Sequence, residues 1–174
     1  MKEIYFAGGC FWGTEHFLKQ MDGVIDTQVG YANGKTQSPT YQDVCTDTTG
    51  HAETVRVAYD ESRIALSDLL EMYFKAIDPT SVNKQGEDEG TQYRTGIYYV
   101  DDADRPAIEA HMATMAALYE EPLAVELEPL RCFYPAEDYH QDYLDKNPTG
   151  YCHLPLSLFE MARRYKSKSL TDKK

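Results

Sequence analysis

The first 20 residues join a strand pattern to a helical pattern through two glycines and a cysteine. Residues 3–7 are mostly apolar and predict a strand, and a helix is predicted from about residue 11 to residue 20. The two glycines let the backbone turn tightly between these elements and leave the sulfur of Cys10 open to a substrate. Because backbone N–H groups at a helix N-terminus favour a thiolate, the junction predicts a reactive thiol at Cys10.

Aromatic side chains follow this cysteine directly. Phe11 is the next residue, and Trp12 is the only tryptophan of the chain. An unselected free cysteine is more often a buried, inert side chain than a nucleophile. The glycines, the helix start and the two aromatic side chains favour the opposite interpretation, a catalytic thiol beside an apolar wall.

Composition limits the size of the fold and the class of partner. The 174 residues are 42% hydrophobic, which is enough for a single domain over residues 1–174 with a sizeable core. The net charge of -12 argues against nucleic-acid binding, since phosphate contacts need clustered Lys and Arg. The basic stretch 163–174 is interpreted as a solvated helix end and terminus. We expect a monomer.

The N-terminus and the apolar runs bear on location. Met1 leads directly into the first strand pattern, with no apolar stretch or cleavage site of a secretory signal. No apolar run approaches the roughly 18 residues that a membrane span needs. These patterns predict a cytoplasmic protein without membrane contact.

Four cysteines are too sparse for a disulfide scaffold in a chain of this length. None forms a Cys-x-x-Cys pair, so we expect no metal site and no cofactor. Cys152 lies in a loop with Pro148 and Gly150 and is a candidate resolving thiol, although spacing alone leaves this open. Cys45 and Cys132 are interpreted as structural thiols.

Strand and helix patterns alternate without the strict βαβ order. Strands are predicted at residues 3–7, 24–31, 53–59, 95–100 and 123–127, and helices at 11–20, 67–77, 104–119, 135–144 and 156–165. The alternation at 53–59 predicts a half-buried strand. Ser67 is predicted to cap the helix at 67–77, which ends before Pro79. Residues 32–34 predict a turn. The order favours an α+β fold with helices packed on a largely antiparallel sheet.

Residues 79–95 contain neither period. Loops of this length are usually functional or disordered. Because this one holds Asp88, Glu89, Gln92 and Tyr93, we predict a functional loop.

Several side chains are candidate acids, bases or hydrogen-bond donors. Glu53 lies where a turn enters a strand, although a glutamate there is most often a solvated charge. Tyr41 and Tyr93 could donate phenolic hydrogen bonds, but tyrosines more often serve in a core or at its rim. His140 offers a titratable imidazole, whose more common role is a structural one, bonded to a neighbouring carboxylate.

An ordered set of motifs carries a family resemblance. Residues 9–13 read Gly-Cys-Phe-Trp-Gly and closely resemble the active-site signature of the A-type peptide methionine sulfoxide reductases. Further matches follow in order: Val-Gly-Tyr at 29–31, Thr-Tyr-Gln-Asp-Val-Cys at 40–45, Gly-His-Ala-Glu at 50–53, Gly-Thr-Gln-Tyr-Arg at 90–94, Phe-Tyr-Pro-Ala-Glu at 133–137, His-Gln at 140–141, Asn-Pro at 147–148 and Gly-Tyr-Cys at 150–152. Together they cover roughly residues 4–152.

The resemblance implies a two-layer α/β sandwich with a mainly antiparallel mixed sheet and a ferredoxin-like core. It also implies that Cys10 attacks the sulfoxide sulfur of oxidised methionine, free or in peptides and proteins. Glu53 would protonate, or hydrogen-bond, the sulfoxide oxygen, since a carboxyl group in an apolar pocket keeps its proton. Cys152 would resolve the resulting sulfenic acid as a disulfide, which thioredoxin reduces. The family acts on the S epimer and repairs oxidised proteins.

The substrate-binding roles rest on the same resemblance. Phe11 and Trp12 would form the apolar wall for the methyl group, Tyr41 and Tyr93 would be further hydrogen-bond donors, and Asp88 would lie at the pocket edge. Two departures stand out. The family's loop usually reads Gly-Asn-Asp, where this chain has Gly-Glu-Asp-Glu-Gly at 86–90, and no second recycling cysteine follows Cys152, which predicts a single resolving thiol.

Three other functions remain as alternatives. A papain-type hydrolase would pair Cys10 with His51 or His140, although the local signature of that family is absent. A non-enzymatic thiol switch would bind peptides on Phe11 and Trp12 without releasing methionine. A thiol peroxidase would oxidise Cys10 with hydroperoxide and ignore sulfoxides.

Overall fold

The computed structural model describes residues 1–168, and within them two sheets and six helices form. The strands are β1 (Lys2–Gly8), β2 (Val24–Ala32), β3 (Ala52–Tyr59), β4 (Lys84–Gln85), β5 (Asp88–Glu89), β6 (Thr95–Tyr99), β7 (Glu126–Pro129) and β8 (Phe133–Pro135). The helices are α1 (Phe11–Lys19), α2 (Tyr41–Cys45), α3 (Leu66–Lys75), α4 (Arg105–Ala116), α5 (Tyr143–Lys146) and α6 (Leu156–Arg164).

The larger sheet has the strand order β7-β6-β1-β3-β2-β8, and β4 pairs with β5 in a separate hairpin. Neighbouring strands of the larger sheet are antiparallel except β6 and β7, which are parallel. Helix α1 connects β1 to β2, and α3 lies between β3 and β6 along the chain. The four strands β6-β1-β3-β2 therefore form the expected ferredoxin-like core, and the α+β class is confirmed.

The main core lies between the sheet and its helices. Ile4 and Phe6 of β1 and Val55 of β3 are fully buried there with Leu18 of α1 and Leu69 of α3. A smaller cluster on the second face of the sheet consists of Tyr5, Ala7, Ala32, Ala52 and Tyr98, against which Leu130 and Phe133 pack. Burial on both faces fixes the register of the central strands.

This second cluster explains why the half-buried pattern predicted for β3 is wrong. Thr54 and Ala58, which alternate with the main-core residues, are buried as well. The strand lies between β1 and β2, and Tyr5, opposite Arg56 in the pairing with β1, is also buried. Among residues 52–59, only Arg56 is partly exposed.

The start of α3 also differs from the prediction. The helix begins at Leu66 after the N-cap residue Ala65, so Ser67 lies inside the first turn. The Asp68 carboxylate accepts the Ala65 backbone N–H at 3.0 Å, which satisfies a donor that the helix itself leaves free. The carboxylate three residues after the cap therefore replaces the expected hydroxyl.

The helix predicted at residues 135–144 is the largest error. Residues Phe133–Pro135 form β8, the edge strand on β2, and a 3-10 turn over Asp138–His140 precedes the short helix α5. The Ala136 backbone N–H donates to the Val29 carbonyl at 2.9 Å, so the chain continues along the sheet edge. Backbone donors on an open sheet edge outcompeted the local helical spacing.

Smaller differences concern short elements. The last predicted strand lies at Glu126–Pro129, later than expected, and α2, held by a capping box between Thr40 and Asp43, was not predicted. The turn at 32–34 is confirmed, with Asn33 at φ +56°. Within residues 1–168 no helix is long and apolar enough to cross a membrane. The basic stretch extends to Lys173 and Lys174, which lie outside the described residues.

Candidate active site

Cys10 occupies the N-cap position of α1 and is 7% exposed. Gly9 precedes it at φ +87°, and a Cβ atom there would lie 2.8 Å from the Cβ of Gln85. The Thr14 hydroxyl bonds the carbonyls of Gly8, at 3.1 Å, and Cys10, at 3.2 Å. The turn between strand and helix therefore needs glycine at position 9, as the sequence predicts.

The protonation of Cys10 differs from the expected thiolate. Burial raises its pKa well above the ordinary value, and the negative charges of Glu53 and Asp88 raise it further. The backbone N–H groups of Trp12 and Gly13 act in the opposite direction but do not outweigh the burial. Cys10 therefore rests as a thiol, and its ionisation depends on the charge state of neighbouring carboxyl groups.

Glu53 on β3 is 1% exposed and lies against the start of α1. Its Oε1 accepts the backbone N–H of Phe11 at 3.1 Å, one residue after Cys10. Burial raises the pKa of Glu53 to about 8, and the charge of Asp88 raises it while the Phe11 hydrogen bond lowers it. A carboxyl group with this pKa carries its proton at pH 7 and is suited to donate it.

An aromatic cluster surrounds the start of α1. The Phe11 ring is buried, with its centroid 5.8 Å from that of Tyr31 and 5.2 Å from that of His140. The half-buried Trp12 ring stacks on Tyr143 of α5, with the centroids 3.7 Å apart and the planes at 12°. These rings give the site an apolar wall.

His140 is fully buried and joins this cluster through the indole of Trp12. The Trp12 Nε1–H donates to His140 Nδ1 at 2.9 Å, which places the imidazole proton on Nε2. Burial lowers the pKa of His140, while the charge of Glu137 raises it. The structural role expected for His140 rests on Trp12 as its hydrogen-bond partner rather than on a carboxylate.

Two tyrosines face the same region from different elements. The Tyr41 ring, on α2, lies 4.6 Å from that of His140. Tyr93 ends a 3-10 turn over Thr91–Tyr93. Burial raises the pKa of both phenols, and the charge of Glu53 adds to the increase at each, so both hydroxyls keep their protons as hydrogen-bond donors.

Asp88 on β5 belongs to the electrostatic environment of the site. Its charge contributes to the raised pKa values of Cys10, Glu53 and Tyr93. Both of its carboxylate oxygens lie 3.0 Å from the hydroxyl of Tyr151. This hydrogen bond ties the β4–β5 hairpin to the segment that carries Cys152, so the loop at 79–95 borders the site.

Cys152 is half-buried against the first turn of α1. A Cβ atom on Gly13 would lie 3.1 Å from the Cys152 sulfur. The Leu154 backbone N–H donates to that sulfur at 3.4 Å, and burial raises the pKa of the thiol. Both Cys10 and Cys152 are free thiols in this structure. The fold therefore brings the two cysteines to the same helix turn.

The comparisons with known proteins agree with this geometry. A family model described as peptide methionine sulfoxide reductase matches residues 2–172. The chain belongs to this family. A peptide methionine sulfoxide reductase MsrA of Clostridium acetobutylicum is 55% identical over 160 residues, covering 92% of this chain and 99% of that protein. The activity of the chain is accordingly thiol-dependent reduction of methionine sulfoxide.

Solved structures show the same fold. Mxr1 from Saccharomyces cerevisiae in its reduced form has a TM-score of 0.83 and 40% identity, covering 96% of this chain and 92% of that one. A structure of Mxr1 in complex with Trx2 has a TM-score of 0.58 and 28% identity, covering 82% of this chain and 84% of that one. The sandwich predicted from the resemblance is therefore shown.

The hydrogen bonds of His51 and His140 argue against the hydrolase alternative, which needs one of them as a base for Cys10. His51 Nδ1 accepts the Gly34 backbone N–H at 3.1 Å, and its Nε2 donates to the Thr36 carbonyl at 2.8 Å. His140 Nδ1 is occupied by Trp12. Neither imidazole presents a free acceptor nitrogen from which to activate Cys10.

Two further thiols and one aromatic residue lie outside the roles that the sequence predicted for the site. Cys45 is exposed and hydrogen-bonds the Tyr41 side chain, while Cys132 is half-buried with its sulfur 4.0 Å from the Gly34 carbonyl. Sequence reasoning assigned no role to Tyr143, which lies between the matched motifs at 140–141 and 147–148 and carried no signal of its own. Among residues 1–168, no cluster of three or more His, Cys, Asp or Glu side chains is arranged to hold a metal ion.

Proposed function

We propose that residues 1–174 act as a single reductase domain specific for the S epimer of methionine sulfoxide, with Cys10 as nucleophile and Glu53 as acid. The observation that carries the proposal is the buried Glu53 carboxyl. Its pKa of about 8 keeps it protonated, and it accepts the backbone N–H of Phe11, the residue that follows Cys10. A sulfoxide oxygen leaves poorly until it is protonated. An acid that is neutral at pH 7 supplies that proton at the position of attack.

In the first step Glu53 protonates the sulfoxide oxygen while the Cys10 sulfur attacks the sulfoxide sulfur. This attack forms a bond between the two sulfurs. As the oxygen then moves to the Cys10 sulfur, that S–S bond and the S–O bond of the substrate both break and an S–O bond forms on Cys10. The methionine sulfur is reduced, Cys10 is oxidised to a sulfenic acid, and the Cys10 thiol proton replaces the one that Glu53 donated. Phe11 and Trp12 hold the methyl group, Tyr41 and Tyr93 hydrogen-bond the oxygen, and Asp88 lies at the pocket edge.

In the second step the Cys152 sulfur attacks the sulfenic sulfur of Cys10. A disulfide forms between the two cysteines, the sulfenic S–O bond breaks, and water leaves. The contact of Cys152 with Gly13, in the first turn of the helix that Cys10 caps, supports this pairing. Cys152 is the single resolving thiol in this scheme.

A thioredoxin then reduces the disulfide by thiol–disulfide exchange and restores both thiols. The support for this partner is a structure of the related Mxr1 bound to Trx2. We further infer that the protein works in the cytoplasm, where thiols are kept reduced, and repairs oxidised methionine in other proteins. A fractionation blot of the source cells tests that location.

Product analysis with each sulfoxide epimer tests the activity. The protein is incubated with a dithiol reductant and either the S or the R epimer of a methionine sulfoxide peptide, and methionine is measured by mass spectrometry. We expect methionine from the S epimer and little from the R epimer. Cleavage of an amide or ester, efficient hydroperoxide reduction, or peptide binding without methionine would instead support one of the three alternatives.

A further inference from the structure

His153 follows the resolving thiol directly and has no role in the chemistry above. Its Nε2 lies 3.2 Å from the carbonyl oxygen of Gly8, the last residue of β1. A Cβ atom on Gly9 would lie 3.2 Å from Nε2, and one on Gly13 would lie 3.0 Å from Nδ1. The imidazole is therefore packed on the glycine backbone around Cys10, where a Cβ atom at position 9 or 13 would force it to shift by a few tenths of an ångström.

This contact fixes the tautomer of His153. A carbonyl oxygen only accepts hydrogen bonds, so Nε2 carries the proton and Nδ1 has the free lone pair. Nδ1 is buried and has no hydrogen-bond partner within residues 1–168. A buried acceptor without a partner is unfavourable and uncommon in folded proteins, which calls for an explanation beyond packing.

The free nitrogen lies beside the resolving sulfur. The position of a Cβ atom on Gly13 is 3.0 Å from His153 Nδ1 and 3.1 Å from the Cys152 sulfur, so both atoms border the same point on α1. Gly13 also directs its backbone N–H at the Cys10 sulfur. The two sulfurs and the free nitrogen therefore all lie next to Gly13, in the first turn of α1.

Few titratable groups face the imidazole. The β4–β5 hairpin presents the charge of Asp88, which raises the pKa of His153, while burial lowers it more. The segment before α1 presents the glycines already named, and on its own segment the titratable neighbours are Cys152 and Tyr151. The net effect is a lowered pKa, which leaves the imidazole neutral at pH 7.

We propose that His153 is the base for the resolving step, taking the thiol proton of Cys152 onto Nδ1 as that sulfur attacks the Cys10 sulfenic acid. The inference rests on the proposed two-step function. The Cys152 S–H and Cys10 S–O bonds break and the S–S bond forms. Cys152 is oxidised, Cys10 is reduced, and Nδ1 returns the proton to the departing hydroxide as water. In the resting structure the Cys152 S–H donates to the Leu154 carbonyl at 3.4 Å, so the thiol turns from that carbonyl toward Nδ1 in this step.

The Cys152 thiol needs such a base because its surroundings disfavour ionisation. Burial raises its pKa, so only a small fraction is thiolate at neutral pH. A correctly placed general base typically contributes about 10²–10⁴-fold in rate. His153 offers an unprotonated nitrogen without requiring a thiolate in the resting protein.

The test separates a role of His153 as a base from a purely structural role, in which its Nε2–H only holds the Gly8 carbonyl. His153→Gln keeps an N–H donor for the Gly8 carbonyl but has no basic nitrogen, and His111→Gln on α4 is a matched control. Reduced protein is mixed with the S sulfoxide without reductant, quenched in acid, and analysed for methionine and for the disulfide. We expect unchanged methionine release and disulfide formation slowed by ~10²-fold in His153→Gln alone.

The pH profile adds a readout that anchoring would not move. In the unmodified protein the disulfide rate should rise through a pKa below that of free histidine and then stay level from pH 7 upward. In His153→Gln it should keep rising about tenfold per pH unit toward the thiol pKa. An equal rate and profile in the variant, or a tenfold rise per unit above pH 7 in the unmodified protein, would overturn the proposal. Absence of methionine in the unmodified protein would contradict the proposed function instead.

Discussion

At the scale of single residues, the candidate site places a buried thiol at Cys10 near a buried carboxyl at Glu53, and burial raises the pKa of both. The glycine pair and helix start pointed to Cys10 without any structure, and the family motifs pointed to Glu53. The expected thiolate at Cys10 was wrong, because the pKa of a buried thiol depends on side chains from other elements. The local sequence predicts the helix N-terminus that lowers the pKa of Cys10, but not the burial that raises it more.

Replacing Glu53 by glutamine removes the proton donor while keeping an acceptor for the Phe11 N–H. We expect methionine formation to fall by ~10²–10⁴-fold, the usual value of a general acid. Fold and thiol alkylation should be retained, as judged by circular dichroism and mass spectrometry. Glu61→Gln, at an exposed turn, is the control. Wild-type activity in Glu53→Gln would remove the acid role.

The pKa of Glu53 also makes stability depend on pH. Between the ordinary pKa of 4.5 and the folded value of about 8, the folded state holds a proton that the unfolded state has lost. Stability from this group therefore decreases as pH rises across that window. In thermal unfolding from pH 5 to 8, Glu53→Gln should gain stability relative to the unmodified protein as pH rises. A constant difference would contradict the raised pKa.

At the scale of elements, helices and central strands with clear periodicity were predicted well, whereas edges and caps were not. Strand β8 was mistaken for a helix because its partner, the edge of β2, lies about 100 residues earlier in the chain. Helix α1 was predicted, but not the residue that anchors it. The buried Glu15 of α1 accepts the Thr27 hydroxyl at 3.0 Å and the Asp142 backbone N–H at 2.8 Å.

Glu15 therefore links the helix behind Cys10 to β2 and to the turn before α5. Glu15→Ala leaves the Asp142 N–H without its acceptor, and we expect a loss of about 1–3 kcal/mol in the free energy of unfolding. Glu15→Gln keeps that acceptor and should lose less. Urea unfolding of the two variants at pH 7 measures both. Equal stability of Glu15→Ala and the unmodified protein would show that the link contributes nothing.

At the scale of the whole molecule, the C-terminal segment returns to the first helix. The contact of Cys152 and His153 with Gly13 joins residues about 140 positions apart. No local pattern predicts such a contact, and the spacing of the cysteines left the pairing open. The loop around Cys152 made it one candidate resolving thiol and the family resemblance favoured it, whereas the His153 contact followed from neither source.

Gly13→Ala tests this long-range contact. The added methyl group would lie 3.0–3.1 Å from His153 Nδ1 and the Cys152 sulfur, so it displaces the C-terminal segment rather than the helix backbone. We expect disulfide formation to slow, by less than the ~10²-fold that a misplacement of about 1 Å costs, with a much smaller change in methionine release. Rapid-quench analysis of both products measures the ratio. An unchanged ratio would contradict the contact.

The most direct measurement of the central claim is the stoichiometry of a single turnover without reductant. Reduced protein is mixed with excess S methionine sulfoxide, and methionine and the cysteine modifications are quantified by peptide mass spectrometry. The two-step account predicts one methionine per chain and a disulfide between Cys10 and Cys152. In Cys152→Ser it predicts one methionine and a sulfenic acid on Cys10. No methionine from the S epimer, or an oxidation product that does not involve Cys10, would contradict it.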